Sequence, residues 1–345
     1  MIRITTNGTL RNYKSQLMNS TKNLNDRYNA VLTGRRFNAY SEDPVSATQA
    51  FRLRSSLATN AKQTSNNDTV VKKFSTAWDI IGDVHEDLVV KMGKVPALEG
   101  SNGTNLSVLP ELGQVLSAGA DAIVQDMNGK YGDNFIFGGA DTLKVPFEFK
   151  DGKLLYRGQD VDTMEATSKD PNANTYEKID DKLYVDVGLG FQEGNNGIIS
   201  SSAYDSALNG LDFLGYGTDD DGLPNNVVSI MKELGGMFQR YDTKNNTWGN
   251  GDSAEKAQKL MNKLEQASDR LNKAHVELDA KTTFLKTNQD RLTATGDNLN
   301  EQVVNVEDVD PAQAIMELVW AQQAYNAALK VGTNIIPQSL LDYMN

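Results

Sequence analysis

A strict leucine heptad in the C-terminal third constrains the fold of this chain most strongly. The leucines recur at intervals of seven, at Leu264, Leu271, Leu278, Leu285, Leu292 and Leu299. At about 1.5 Å per residue, this run predicts about 53 Å of continuous helix. A straight helix drifts by about 20° per heptad against such a repeat, so the leucine line requires supercoiling around other helices. Asp252 and Glu255 have the spacing of a capping box and predict where this helix begins.

Both ends of the chain carry shorter apolar repeats. Near the N-terminus these are Leu10, Tyr13, Leu17, Leu24 and Val31, and near the C-terminus they are Ile315, Leu318, Tyr325, Leu329 and Ile336. Residues 1–36 carry seven basic groups and one acidic group, whereas residues 307–345 carry five acidic groups and one lysine. Opposite charges attract and each stripe requires a partner, so the terminal helices are predicted to pair. A transit peptide would also explain the basic start, but it would leave the acidic C-terminal stripe without a purpose.

Each terminal helix is separated from the rest of the chain by a polar break. The Gly34–Asp43 segment follows the first stripe, and a new helix is predicted from Asp43-Pro44 onward. Asp310-Pro311 opens the last helix in the same manner. Proline is favoured in the first turn of a helix, where its missing N–H costs nothing. The sequence therefore predicts a stop and a restart near each end.

The middle of the chain changes from helical to alternating periodicity. Further helices are predicted at about 44–95, 107–129 and 225–241, whereas 145–159 alternates around the turn dipeptide Asp151-Gly152. Alternation in 182–191 predicts a strand with one apolar face, formed by Leu183, Val185, Val187, Leu189 and Phe191. The predicted fold class is mainly α, with terminal coiled-coil helices, a long-helix rod and a small inserted antiparallel β domain.

The composition offers little for catalysis, cofactors or metals. The chain has no cysteine and only two histidines, His85 and His275, each within a predicted helix. The acidic turn at 218–222 lacks the ligand spacing of an EF-hand, and no phosphate-binding loop or nucleophile motif is present. A net charge of −12 argues against nucleic-acid binding, and no apolar run is long enough to insert into a membrane. We therefore expect no enzyme activity, no catalytic residues, no cofactor and no bound metal.

Several segments resemble the flagellin-like axial proteins of the bacterial flagellum, and in particular their hook–filament junction class. They are "MIRITTN" at the start, "SEDPVSATQAFRLR" (41–54), "NGKYGDNFIFGGADTLKVPF" (128–147) and "AQQAYNAALKVGTNIIPQSLLDYMN" (321–345). The second segment contains Asp43, Pro44, Arg52 and Arg54, follows Arg35, and differs from the Asp-Asp-Ala-Ala-Gly form usual in flagellin. The last segment contains Leu340 and Leu341. The resemblance is weak over 159–205.

The resemblance implies a division into layers of a hollow assembly. Residues 1–42 and 306–345 would form the inner coiled-coil assembly domain. Because isolated helices with narrow seams are marginal in water, we expect these terminal helices to be disordered or loosely held in the free subunit. Residues 43–142 and 206–305 would form the rod, and 143–205 the outward-facing β domain. The terminal stripes, together with Arg35, Asp43, Pro44, Arg52, Arg54, Leu340 and Leu341, would form the assembly interface.

The resemblance also implies a structural adaptor outside the cell, exported without a cleavable signal peptide. Its subunits would form a homo-oligomeric ring that meets the first hook-associated protein on one side and flagellin on the other. An export chaperone would cover the C-terminal helix. Two alternatives remain open: a flagellin subunit of the filament itself, and a coiled-coil surface scaffold unrelated to flagella.

Overall fold

The computed structural model describes residues 6–101, 106–168, 170, 173–194, 197–199, 201–249 and 251–335. Within them the chain is mainly helical, with short antiparallel strands inserted in the middle, as predicted. It divides into two compact units. The first contains residues 1–61 and 293–345, and the second contains residues 62–292. The predicted division into assembly, rod and β domains concerns layers of an assembly and stays a prediction.

The helices follow the predicted positions closely. They are α1 Thr6–Thr33, α2 Pro44–Asp83, α3 Val95–Ser101, α4 Leu109–Met127, α5 Gly210–Leu214, α6 Val227–Gln239, α7 Ala254–Glu307 and α8 Pro311–Ile335. A π-helix over Val84–Lys94 joins α2 to α3, so helical structure runs without a break through the predicted 44–95 segment. Single 3₁₀ turns lie at Leu106–Val108 and Tyr176–Lys178. The two longest helices, α2 and α7, each contribute residues to both units.

In the first unit, α1 and α8 form an antiparallel pair, which confirms the predicted pairing of the terminal helices. Both restart residues act as helix caps: Asp43 Oδ1 accepts a hydrogen bond from the Ser46 N–H at 3.0 Å, and Asp310 Oδ1 accepts one from the Ala312 N–H at 2.8 Å. Satisfying an otherwise unpaired N–H fixes where each helix begins. The hydrogen bond from Ser46 also holds the pKa of the Asp43 carboxyl below its usual value. The predicted beginnings of the two helices, at Pro44 and Pro311, are confirmed.

The core of the second unit is built around α4, α6 and the first part of α7. The heptad leucines from Leu264 to Leu292 are buried, whereas Leu299, in the first unit, is half-buried. Helices α4 and α6 cross at glycines: a Cβ on Gly113 would meet the backbone of Gly235, so only glycine permits this approach. The predicted cap at Asp252 is wrong. Ser253 Oγ accepts the capping hydrogen bond from the Lys256 N–H, and Asp252 instead pairs with Arg240.

The strands are short, and all of their pairings are antiparallel. They are β1 Lys130–Tyr131, β2 Asn134–Phe135, β3 Phe147–Lys150, β4 Lys153–Tyr156, β5 Gln159–Asp160, β6 Tyr184–Val185, β7 Glu193–Gly194, β8 Gly197–Ile198 and β9 Tyr204–Asp205. Strands β3, β4 and β5 form one sheet, and β1–β2, β6–β9 and β7–β8 form separate pairs. The β3–β4 turn is the predicted Asp151-Gly152, with φ of 52° and 77°. Positive φ at both positions is what a tight hairpin of this hand requires.

The predicted strand over 182–191 is wrong beyond its first half. Only Tyr184–Val185 pairs, because Asp186 turns the chain toward the helices. Its carboxylate accepts hydrogen bonds from Gln63 Nε2 at 3.0 Å and from the Gly188 N–H at 2.9 Å. Gly188 then adopts a φ of 79°, which ends the extended conformation. Of the five predicted apolar residues, only Val187 is fully buried.

A buried amide pair lies where the segment after β6 contacts α2 and α7. Asn288 Nδ2 donates hydrogen bonds to Asn67 Oδ1 at 2.9 Å and to the Val187 carbonyl at 2.8 Å. Asn67 Nδ2 in turn donates to the Leu285 carbonyl and to Gln289 Oε1. Buried polar groups in a helical seam are tolerated when their hydrogen bonds are satisfied. Because these amides find their partners in one register only, the network fixes the register of α2 against α7.

Candidate assembly interface

The α1–α8 pair is held at three places along its length. At the loop end, the Arg36 N–H donates to the Glu307 carbonyl at 2.6 Å and the Val309 N–H donates to the Gly34 carbonyl at 2.9 Å. Arg27 Nη1 lies 2.6 Å from Glu317 Oε2 farther along. Beyond it, Gly332 lies against Tyr13 so closely that a Cβ would overlap the phenol oxygen. The Arg27–Glu317 pair links the basic N-terminal stretch to the acidic C-terminal one.

Small residues of α8 allow the two helices to approach closely. The α8 side of the seam consists of Ala314, Leu318, Ala321, Tyr325, Ala328 and Gly332, which alternate at spacings of four and three. The half-buried seam residues of α1 include Tyr13, Leu17, Ser20, Leu24 and Val31. Alternating three- and four-residue spacing is the pattern of a coiled-coil seam, and the alanine at every second position, together with Gly332, reduces the distance between the axes.

The apolar repeat predicted for α8 therefore contains residues from two faces of the helix, the seam and the exposed side. Leu318 and Tyr325 lie in the seam, whereas Ile315 and Leu329 are 53% and 41% exposed. The alanines at 314, 321 and 328 recur every seven residues and carry the signal, but they are weak hydrophobic markers beside isoleucine and leucine. On α1, Leu10 lies on the predicted line yet is 44% exposed. Ile336, Leu340 and Leu341 lie outside the described residues.

The side chains predicted around the restart are only partly brought together. Arg54 forms an ion pair with Glu307, and this hydrogen bond raises the pKa of the guanidinium. Arg35 forms a β-bridge with Asp308, next to that carboxylate. Asp43 and Pro44 begin α2, as described above, and Arg52 is exposed. Glu307 is the last residue of α7, so its ion pair with Arg54 joins the beginning of α2 to the end of α7.

Outside the seam, the paired helices leave apolar side chains in solvent. Those on α8 are Ile315, Met316, Val319, Trp320, Leu329 and Val331, and those on α1 are Leu10, Met18, Tyr28 and Leu32. Trp320 is 64% exposed and Leu32 is 66% exposed. Exposed apolar side chains on neighbouring turns of one helix pair are typical of surfaces that bind another protein. The seam explains the intramolecular pair, and none of the described residues of the first unit covers this outer surface.

Neither a metal site nor a membrane span is found among the described residues. They contain no cluster of histidine and acidic side chains that could hold a metal, and none of their helices is long and apolar enough to cross a membrane. His85 Nε2 lies 3.2 Å from Ser268 Oγ, and His275 stacks on Trp78 with ring centroids 4.6 Å apart. Both histidines are therefore packed against other helices, as side chains of a structural core are.

Comparison with known proteins identifies the fold. Residues 261–344 match the family model of the bacterial flagellin C-terminal helical region. Over 77% of its length, the structure resembles that of a protein from Vibrio parahaemolyticus described as a flagellar hook-associated protein, with a TM-score of 0.57, 15% identity and coverage of 100% of that chain. The chain has the fold of a flagellar hook-associated protein.

Two further structures with the hook-associated fold show weaker similarity. Bacillus cereus FlgL has a TM-score of 0.47 and 14% identity, covering 73% of this chain and 99% of that chain. Hook-associated protein 3 from Legionella pneumophila also has a TM-score of 0.47, with 11% identity and coverages of 74% and 98%. No curated protein sequence matches the chain. The descriptions of the Vibrio structure and of the matched family model name parts of the flagellum, and neither names an enzyme.

Proposed function

We propose that this protein joins the hook to the filament of a bacterial flagellum, in the role of hook-associated protein 3. The observation that carries the proposal is the α1–α8 pair, whose inner seam is closed while its outer apolar side chains remain exposed. In a chain with the hook-associated fold, such a surface suits burial against neighbouring subunits. Identical subunits that contact head to tail close into a ring when their rotation closes.

In this ring, one rim meets the first hook-associated protein and the other meets flagellin. The outer residues of α1 and α8 lie between subunits, and the 143–205 region faces the medium outside the cell. Before assembly, an export chaperone covers the apolar face of α8 that contains Ile315, Val319 and Trp320. The Asp43-Pro44 cap and the following Arg52 and Arg54 support a junction protein over a flagellin, because their sequence context resembles the junction class.

Stoichiometry in intact flagella tests this role. Flagella are detached with their hooks, and this protein and the filament subunit are quantified by mass spectrometry with labelled standard peptides. A single ring predicts a trace component whose ratio to the filament subunit falls as filaments lengthen. A constant ratio near one would make the protein a filament subunit, and absence from flagella would favour the non-flagellar scaffold.

A further inference from the structure

A cavity of about 290 Å³ lies between α2, the β1–β2 hairpin and β6. Its apolar wall is formed by Val70, Ile136, Leu183 and Val185, and Lys73 lies beside it on α2. Every lining residue belongs to the second unit. Ligand pockets in proteins have volumes of about 300–1,000 Å³ and combine an apolar wall with a few polar groups. The size of this cavity therefore limits it to a small ligand.

Among the described residues, the amine of Lys73 forms no close ion pair, and the Asp205 charge acts on it only from a greater distance. Its Nζ donates one hydrogen bond, of 2.8 Å, to the Ser206 carbonyl. The nearby Asp205 carboxylate accepts hydrogen bonds from the N–H groups of Leu183 and Ala207 and lies 3.6 Å from Lys182 Nζ. Its charge is thus already engaged by other groups. Lys73 retains a donor capacity that its single carbonyl partner does not fill, since an ammonium group has three N–H donors.

We propose that this cavity binds a small amphipathic carboxylate, whose apolar chain lies on the Val70–Leu183 wall and whose carboxylate pairs with Lys73. A carboxylate supplies a direct ion pair and further acceptors for the half-buried ammonium, and partial desolvation strengthens the pair. A single cation suits a monoanion, whereas a phosphate group would require further positive charge. Thr69 and Asn66 also line the cavity, and their side chains donate hydrogen bonds to the Ser65 and Asp186 carbonyls.

Burial also makes the binding depend on pH. It lowers the pKa of Lys73 to about 8, and the Asp205 charge opposes this shift only in part. A carboxylate binds the ammonium form, so affinity is greatest below pH 8 and falls as the free amine loses its proton. Between pH 7 and pH 9.5 the protonated fraction of the free protein falls by about 30-fold, which sets the largest expected loss of affinity.

Methyl NMR on the full chain tests the proposal. Hexanoate is titrated at pH 7 while the signals of Val70, Ile136, Leu183 and Val185 are followed, with hexanamide as the neutral probe of equal size. We expect saturable shifts with hexanoate, at least tenfold weaker binding of hexanamide, and weaker hexanoate binding at pH 9.5. Equal affinity for both probes, or no shifts up to 20 mM hexanoate (a limit of roughly millimolar affinity), would overturn the proposal.

Two lysine variants separate the charge from the shape of the site. Lys73→Met keeps a long apolar stem and removes the ammonium, so we expect at least a tenfold loss of hexanoate affinity. Lys72→Met is the matched control, because Lys72 is the exposed neighbour that pairs with Asp68, and it should bind as the native chain does. If Lys73→Met fails to fold, the pH dependence of the native chain still decides. Unchanged binding by a folded Lys73→Met protein would contradict the role of the amine.

Discussion

At the scale of single residues, the Asn67–Asn288 pair is the most exacting contact of the core. Both amides are buried and bonded to each other, to the helices and to the segment that follows β6. Removing one partner leaves buried polar groups unsatisfied and creates a cavity, which is more costly than the loss of a surface hydrogen bond.

Asn67→Ala is therefore expected to lower the free energy of unfolding by about 2–3 kcal/mol. Asn66→Ala is the matched control: Asn66 lies one residue away and also donates to the β segment, at the Asp186 carbonyl, but it is exposed. We expect the control to cost under about 1 kcal/mol. Urea unfolding followed by circular dichroism measures both, and equal effects would show that the buried pair is not special.

Lys73 should make stability rise with pH in the alkaline range. Its folded pKa of about 8 lies below the unfolded value, so the charged amine opposes folding below pH 8 and this penalty is relieved as pH rises toward 10. From pH 7 to pH 9.5 the expected gain is about 2 kcal/mol.

The gain is measured as the difference between the native chain and Lys73→Met, because other titrating groups cancel in that comparison. Tyr156 and Tyr204 are such groups, since burial raises the pKa of each above its usual value. Chemical unfolding at pH 7, 8, 9 and 9.5 is sufficient. Parallel stability curves for the two proteins would refute the assigned effect of Lys73.

At the scale of elements, the α1–α8 seam depends on glycine at position 332. Alanine is a better helix former than glycine by about 0.8–1.0 kcal/mol, so Gly332→Ala would stabilise an isolated helix. Here its methyl group would overlap the Tyr13 phenol, and overpacking of this kind costs about 1–3 kcal/mol. The overlap is expected to exceed the helical gain.

We expect the effect of Gly332→Ala on the stability of α8 to have opposite signs in the native chain and in the Tyr13→Ala variant. Gly332→Ala should loosen α8 in the native chain and tighten it in Tyr13→Ala, where the overlap is gone. Hydrogen exchange of the α8 amides measures the local opening free energy in all four proteins of this double-mutant cycle. The same direction in both backgrounds would mean that α8 does not pack against Tyr13.

Most helices could be predicted from the sequence, because each lies in a long stretch with periodic apolar residues. The Leu264–Leu299 repeat located α7, and the Asp-Pro dipeptides located the starts of α2 and α8. The errors arose where tertiary contacts outweigh local pattern. Asp186 leaves the alternating strand because its carboxylate accepts a hydrogen bond from Gln63. The Asp252 carboxylate, which was predicted to cap α7, pairs with Arg240 instead. No feature of the local sequence specifies such distant partners.

The candidate interface was predictable in outline only. Opposite charge and matching repeats indicated that the termini pair, but the α8 side of the seam contains three alanines and a glycine that carry little hydrophobic signal. The buried pair of Asn67 and Asn288 was missed for a related reason. Each lies in a polar stretch of a long helix, and only the fold places them together.

At the scale of the whole molecule, the outer apolar surface of α1 and α8 should matter for assembly and not for the fold of the second unit. Trp320→Ser removes its largest exposed side chain on α8. A central aromatic anchor contributes about 2 kcal/mol or more to an interface, so incorporation into flagella should fall about tenfold or more. Val276→Ser, on an exposed position of α7, is the matched control and should support normal swimming.

The free subunit should hold its terminal helices loosely, since isolated helices are marginal in water and the seam is narrow. We expect limited proteolysis of the monomer to cut within α1 and α8 before it cuts the loops of the second unit. The assembled protein should resist at the same sites. Equal resistance of both forms would mean that the helix pair is stable before assembly.

Immunogold electron microscopy of intact flagella tests the central claim most directly. The antibody is raised against the 143–205 region, and a strain lacking the protein serves as the control for specificity. The proposed role predicts one band of label at the junction of hook and filament. Label along the whole filament, or flagella without label when the antibody recognises the folded protein in solution, would contradict it.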